Sequence, residues 1–103
     1  MASTTAQVSL TNVTTGVGAT IDFTVAKKSV TMVVFTSGLV TEVLVQVEAS
    51  QDATNWVSIA SVDATTRPRS VDLNRGAYRY YRASVAKDAV GGGKVTATFM
   101  EAD

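Results

Sequence analysis

The sequence predicts an all-β protein, a single antiparallel β-sandwich of about eight strands with jelly-roll or immunoglobulin-like connections. Three observations predict it. β-Branched residues dominate, with 17 Val and 15 Thr against 4 Leu and 1 Pro in 103 residues, a usage that suits a pleated, half-buried surface. The recurring hydrophobic period is two, and no stretch places Leu, Ala, Glu and Lys at helical spacing. Turn-forming residues separate the alternating runs at intervals of roughly 8–12 residues.

Taken in order, Val8–Leu10 opens the series. Ala19, Ile21, Phe23 and Val25 alternate with Thr20, Asp22, Thr24 and Ala26 as a half-buried strand. Val30–Phe35 is apolar on both faces, which fits either a central strand or a strand whose outer face a partner covers. Val43, Val45, Val47 and Ala49 alternate with Glu42, Leu44, Gln46 and Glu48, and Val57 and Ile59 with Trp56, Ser58 and Ala60. Ser70–Leu73, the aromatic run Tyr78–Val85, and Val95, Ala97 and Phe99 complete the set. Each regular run points one apolar row at a core and one polar row at water. Gly16–Gly18, Lys27–Ser29, Ser37–Gly38, Gln51–Asn55, Asn74–Gly76 and Gly91–Gly93, the last preceded by Lys87–Asp88, supply the turns. Residues 1–7 read as a flexible polar arm and 8–103 as one sandwich domain. The start lacks a basic region and an apolar stretch, so no secretory signal is expected.

Composition narrows the chemistry. The chain has no Cys and no His, and nine basic residues balance nine acidic ones. Disulfides, thiol catalysis, the usual general base and the commonest metal ligand are all missing. Zero net charge argues against a global grip on nucleic acid or an anionic membrane. The chain is therefore expected to be no enzyme and to need no cofactor or metal. Lys28–Ser29 reads as a turn rather than a nucleophile pair. Asp52 and Asn55 lack the acidic density of a calcium loop and read as a hairpin turn. Gly91–Gly93 carries no phosphate-loop signature.

The charge distribution is uneven. Arg67, Arg69, Arg75, Arg79 and Arg82 fall close together, interleaved with Tyr78, Tyr80 and Tyr81 and opposed by Asp72. Such a region suits a protein interface, a structural stack on a sheet face, or a single-stranded nucleic acid. Trp56, the single tryptophan, caps the core or serves with Asn55 and Asp52 as a platform for a sugar ring.

Two stretches carry a resemblance. Val45–Trp56, read as V-x-V-x-x-S-x-D-A-x-x-W, resembles the strand–turn–strand motif of discoidin-like jelly rolls, with Ala53 where a turn glycine is usual. Ala77–Val85 is similar to a later strand of the same sandwiches. As a whole, the chain resembles the small Cys-free β-sandwich virion proteins of tailed bacteriophages. That resemblance implies a capsid decoration protein on the outer surface of a phage head, with the major capsid protein or another virion protein as partner and homo-oligomerisation as a further expectation. Its contacts would be Ser3, Thr4, Thr5 and Gln7 of the arm, together with Arg67, Arg69, Arg75, Arg79, Arg82, Tyr78 and Tyr80. The alternative expectation is a carbohydrate-binding module of a tail or adhesion apparatus. Neither involves a membrane, and nucleic acid is not the expected partner.

Overall fold

The computed structural model describes residues 7–24, 29–63, 69–73 and 78–102. Eight strands form: β1 (Gln7–Val13), β2 (Ile21–Asp22), β3 (Ser29–Ser37), β4 (Glu42–Ser50), β5 (Trp56–Asp63), β6 (Arg69–Leu73), β7 (Tyr80–Val90) and β8 (Lys94–Ala102). They make two four-stranded sheets, sheet A in the order β1-β8-β3-β6 and sheet B in the order β2-β7-β4-β5. Every pairing is antiparallel. β1 pairs with β8, β2 with β7, β3 with β6 and β4 with β5, so the chain is one long ribbon folded over at the β4–β5 hairpin. That wrapping is the jelly-roll connection, and it sets aside the immunoglobulin-like alternative.

Alternation builds the core. Val30, Met32 and Val34 on β3 and Val95, Ala97 and Phe99 on β8 point inward from sheet A. Val43, Val45, Val47 and Ala49 on β4 and Tyr81 and Ala83 on β7 answer from sheet B. Tyr81 joins the layers, its ring centroid 5.7 Å from Phe23, 5.9 Å from Phe99 and 6.5 Å from Tyr78. These distances are those of edge-to-face and tilted aromatic packing.

Three local expectations are corrected. Of the strand expected over Ala19–Ala26, Val25 and Ala26 lie outside the described residues, and among the rest only Ile21 and Asp22 pair regularly. Asp22 Oδ1 accepts the Thr24 amide at 2.7 Å and Thr24 takes φ 75°, and this turn ends the strand. Ahead of it, residues 14–19 follow the β7 edge irregularly, Gly18 donating to the Ala83 carbonyl and Val85 to that of Gly16. A β-carbon at Gly18 would collide with the Ser9 carbonyl and hydroxyl, so the close approach of this segment needs glycine.

Val57 does not enter the core, although Ile59 is partly buried against it. Val47 pairs with Ala60 but Glu48 with Ser58, making Ile59 the extra residue of a bulge. Ala60 and Val62 therefore share the inward row with Val47 and Val45, while Val57 is 47% exposed at the open end of the edge strand. β7 runs on through Lys87 and Asp88, and the turn falls at Gly91 as expected. Gln7 is the first residue of β1, paired with Phe99, rather than the last of an arm.

Candidate functional site

The richest chemistry on the described surface lies on the outer face of sheet B beside the β4–β5 turn. Strand parity builds it. Ser50 and Glu48 take the outward parity of β4, Ser50 itself being buried under the turn residues it bonds, so their cross-strand partners share that face. One row runs across all four strands as Trp56, Ser50, Tyr80 and Asp22, and the next runs as Ser58, Glu48 and Arg82.

Each arginine here is held twice. The Arg82 guanidinium lies 4.1 Å from the centre of the Trp56 ring, and its Nε donates to Glu48 Oε1 at 2.6 Å. Arg79 lies 4.9 Å from the Tyr80 ring centre and donates from Nε to Asp22 Oδ1 at 2.6 Å and from Nη2 to Asp22 Oδ2 at 2.9 Å. This two-point contact, together with the Thr24 amide, holds the Asp22 carboxyl down at about 2, and the same contact raises Arg79. Two cations matched by two carboxylates give a surface that is polar and aromatic but locally neutral. With each guanidinium charge already met by a carboxylate, the surface has less attraction for a phosphate than two bare arginines would have.

The adjoining turn is organised by Ser50 and Asp52. Asp52 Oδ1 accepts the Ser50 hydroxyl, the Thr54 amide and the Asn55 amide at 2.8–2.9 Å, and Oδ2 accepts Asn55 Nδ2 at 2.8 Å. The Ser50 hydroxyl also accepts the Ala53 amide at 2.9 Å. These donors push the Asp52 carboxyl well below the ordinary carboxylate range, the Asn55 and Thr54 amides contributing most. With its lone pairs occupied by local donors, Asp52 fixes the turn and has little left to offer a cation. Among the described residues no cluster of three or more potential metal ligands occurs. A shallow concavity of about 310 Å³ opens beside the turn, lined by Gln51, Asp52, Asn55, Val57 and Tyr78.

The residues singled out in the sequence are thus dispersed. Arg79, Tyr80, Arg82 and Trp56 come together on sheet B, whereas Arg69 lies on β6 at the edge of sheet A. Tyr78 packs edge-on against Tyr81 and faces the concavity rather than the arginines. Trp56 lies on the outer face, neither a core cap nor an open platform on the side that Arg82 covers. Gln7 is in β1, and Ser3, Thr4, Thr5, Arg67 and Arg75 lie outside the described residues. Asp22, Glu48 and Ser50 complete the site and were not singled out. The Ser50-x-Asp52-x-x-Asn55 spacing carried a turn signal, but the pairings of Asp22 and Glu48 depend on register across distant strands.

Fold and surface define a class: a small eight-stranded jelly roll whose most developed surface feature is a neutral arginine–aromatic stack. No protein-family model and no curated protein sequence matches this chain. Among solved structures, the SPBc2 prophage-derived protein YomS is similar, with a TM-score of 0.70 over 96% of this chain and 92% of that chain at 14% sequence identity. The likeness extends over nearly the whole of both chains and shows a shared fold.

Proposed function

We propose that this chain is a non-enzymatic structural protein of a bacteriophage particle, a capsid decoration protein that binds the outer surface of the head. The observation that carries the reading is the near full-length likeness to a prophage-derived protein. The arginine–aromatic stack of sheet B supports it. Trp, Tyr and Arg are the residues that anchor protein interfaces, and here they are already ordered by Glu48 and Asp22, so docking loses little side-chain entropy. Modest contacts repeated over a shell would stabilise it through avidity. Mass spectrometry of purified particles, with heads separated from tails, tests the proposal. Many copies of this chain on heads are expected, and its absence from particles overturns the reading.

The concavity beside the β4–β5 turn favours one second reading, a carbohydrate-binding module of a tail or adhesion apparatus. Tyr78 and Val57 offer apolar contact, Gln51 and Asn55 offer polar rims, and the volume lies at the low end for a small-ligand site. Chain found on tails, together with glycan-dependent protection of Tyr78, would favour this reading over decoration.

A further inference from the structure

The outer face of sheet A is the chemical opposite of that of sheet B. Its central row is Val8, Thr98, Val33 and Ser70, crossing β1, β8, β3 and β6. The flanking rows are Met100, Thr31 and Asp72 on one side and Thr96 with Phe35 on the other. Val8 and Phe35 are each 46% exposed and Met100 is 42% exposed, around a partly exposed Val33. Large apolar side chains are therefore clustered on the solvent side of a sheet whose other side already faces the core. Such clustering marks an interaction surface.

We infer that this face is the seam of a symmetric dimer, packing against the same face of a second copy of the chain. Three features commit it to that occupant. First, the described outward face is made mostly of Val, Thr, Phe, Met and Ser, so self-apposition brings no array of like charges together. Second, among the described outward residues its formal charges are Asp72 and Lys94, which lie at opposite ends of the strands. A two-fold axis in the plane of the seam, bisecting the line between them, sets each Asp72 against the Lys94 of the other copy, giving two equivalent ion pairs. Third, four strands at ~4.8 Å spacing and ~3.3 Å rise lay out about 500 Å² per copy. The pair then buries close to 1,000 Å², at the lower limit for specific association. The sheets would stack as the two sheets of each sandwich already do. The seam lies on the opposite side of the sandwich from the arginine–aromatic stack, so a dimer keeps both stacks exposed. The association is a property of the purified chain and does not depend on the virion reading.

Sedimentation equilibrium of the purified protein tests it. The weight-average mass should rise from 10.8 kDa toward twice that value over a dilution series centred on ~10 µM, the affinity expected of so small a seam. Phe35→Lys, at an exposed position, should keep the far-UV circular dichroism of the parent and remain monomeric throughout. Val57→Lys, equally exposed but away from the seam, should dimerise like the parent. If Phe35→Lys fails to fold, the charge pair decides: Asp72→Lys and Lys94→Asp should each weaken the dimer about tenfold, and the double exchange should restore it. A parent that stays monomeric across the series, a folded Phe35→Lys that still dimerises, or charge reversals without effect would overturn the inference. A monomeric parent whose Phe35→Lys variant loses particle binding would overturn it too and assign the face to the coat.

Discussion

Arg82 covers one face of Trp56 at 4.1 Å while its Nε is tied to Glu48, so a cation, an indole and a carboxylate from three adjacent strands share one position on sheet B. Arg82 and Glu48 retain 25% and 21% side-chain exposure, which leaves the ion pair partly screened by water. Arg82→Ala should therefore lower stability by about 1 kcal/mol, combining a modest cation–π contact with a surface pair. Trp56 is the single tryptophan, and loss of its cover should shift emission to the red. Arg82→Lys keeps the charge but not the planar fork, and should fall between parent and Ala variant. If the stack anchors a partner, Arg82→Ala should weaken particle binding more than it lowers the melting temperature.

Ser9 joins the two sheets through one hydroxyl. Its Oγ donates to the Ala19 carbonyl at 2.8 Å and accepts the Ala83 amide at 2.9 Å, and the residue is 6% exposed. Ser9→Ala leaves a buried amide on β7 without its partner, at a cost of about 2 kcal/mol. For a domain of this size that corresponds to a fall of about 10 °C in the melting temperature. A change under about 2 °C would show that another group takes over the bond.

Tyr81 makes the opposite case. Its ring is fully buried among Phe23, Tyr78 and Phe99, yet its hydroxyl has no hydrogen-bond partner among the described residues, and burial pushes the phenol up. Tyr81→Phe keeps the ring and removes an unsatisfied polar group. Stability should hold or rise by up to about 1 kcal/mol. Chemical denaturation checks it, and a loss of about 2 kcal/mol would reveal a hydrogen bond to that hydroxyl.

The sandwich could be read from the sequence because its central core rows follow period two. Val43, Val45, Val47 and Ala49 are all inward and fully buried, as alternation requires. The reading of Val30–Phe35 held in a particular way: β3 is central in sheet A, and its outer residue Phe35 is still exposed. Alternation failed where the backbone departs from regular pairing, at the Ile59 bulge and at the Asp22–Thr24 turn. Both are local, one a register shift within the β4–β5 hairpin and the other a side-chain bond to the backbone two residues on, and a period-two pattern encodes neither. The site was half legible because its pairings are not local. The residue types of Arg79, Arg82, Tyr80 and Trp56 stood out, but Glu48 and Asp22 are their partners only because β4 and β2 flank β7.

The two aspartates give stability a defined acid limb. Asp22 is held down at about 2 by the Arg79 contact, and Asp52 lies well below its usual range because it accepts the Asn55 and Thr54 amides. Each therefore binds protons more readily in the unfolded chain. Their contribution is fully present above the ordinary aspartate value of 3.8 and declines as pH falls below it, Asp22's being lost through about 2. Melting temperature should be flat from pH 6 to 5 and fall steeply from about 4 to 2. Asp52→Asn places an amide donor against Asn55 Nδ2, so the variant should start lower at pH 6 and fall less between pH 4 and 2. Parallel acid limbs in parent and variant would show that Asp52 does not carry this dependence.

Ala53 occupies the left-handed region at φ 63°, at the tip of the turn that Ser50 and Asp52 hold together. The motif this turn resembles has glycine there, and the structure shows why: a β-carbon is disfavoured in that region by about 1–2 kcal/mol. The turn nevertheless forms, because three bonds to the Ser50 hydroxyl and the Asp52 Oδ1 oxygen fix the backbone at Ala53, Thr54 and Asn55. Ala53→Gly relieves the steric cost but gives the unfolded chain more freedom, which takes back about 0.5–1 kcal/mol. The net expectation is a gain of up to about 1 kcal/mol, read as a shift of the urea midpoint with an unchanged slope. Ala53→Val, β-branched at the same φ, should be destabilised relative to the parent. If Gly lowers stability as Val does, the turn does not hold this residue left-handed in solution.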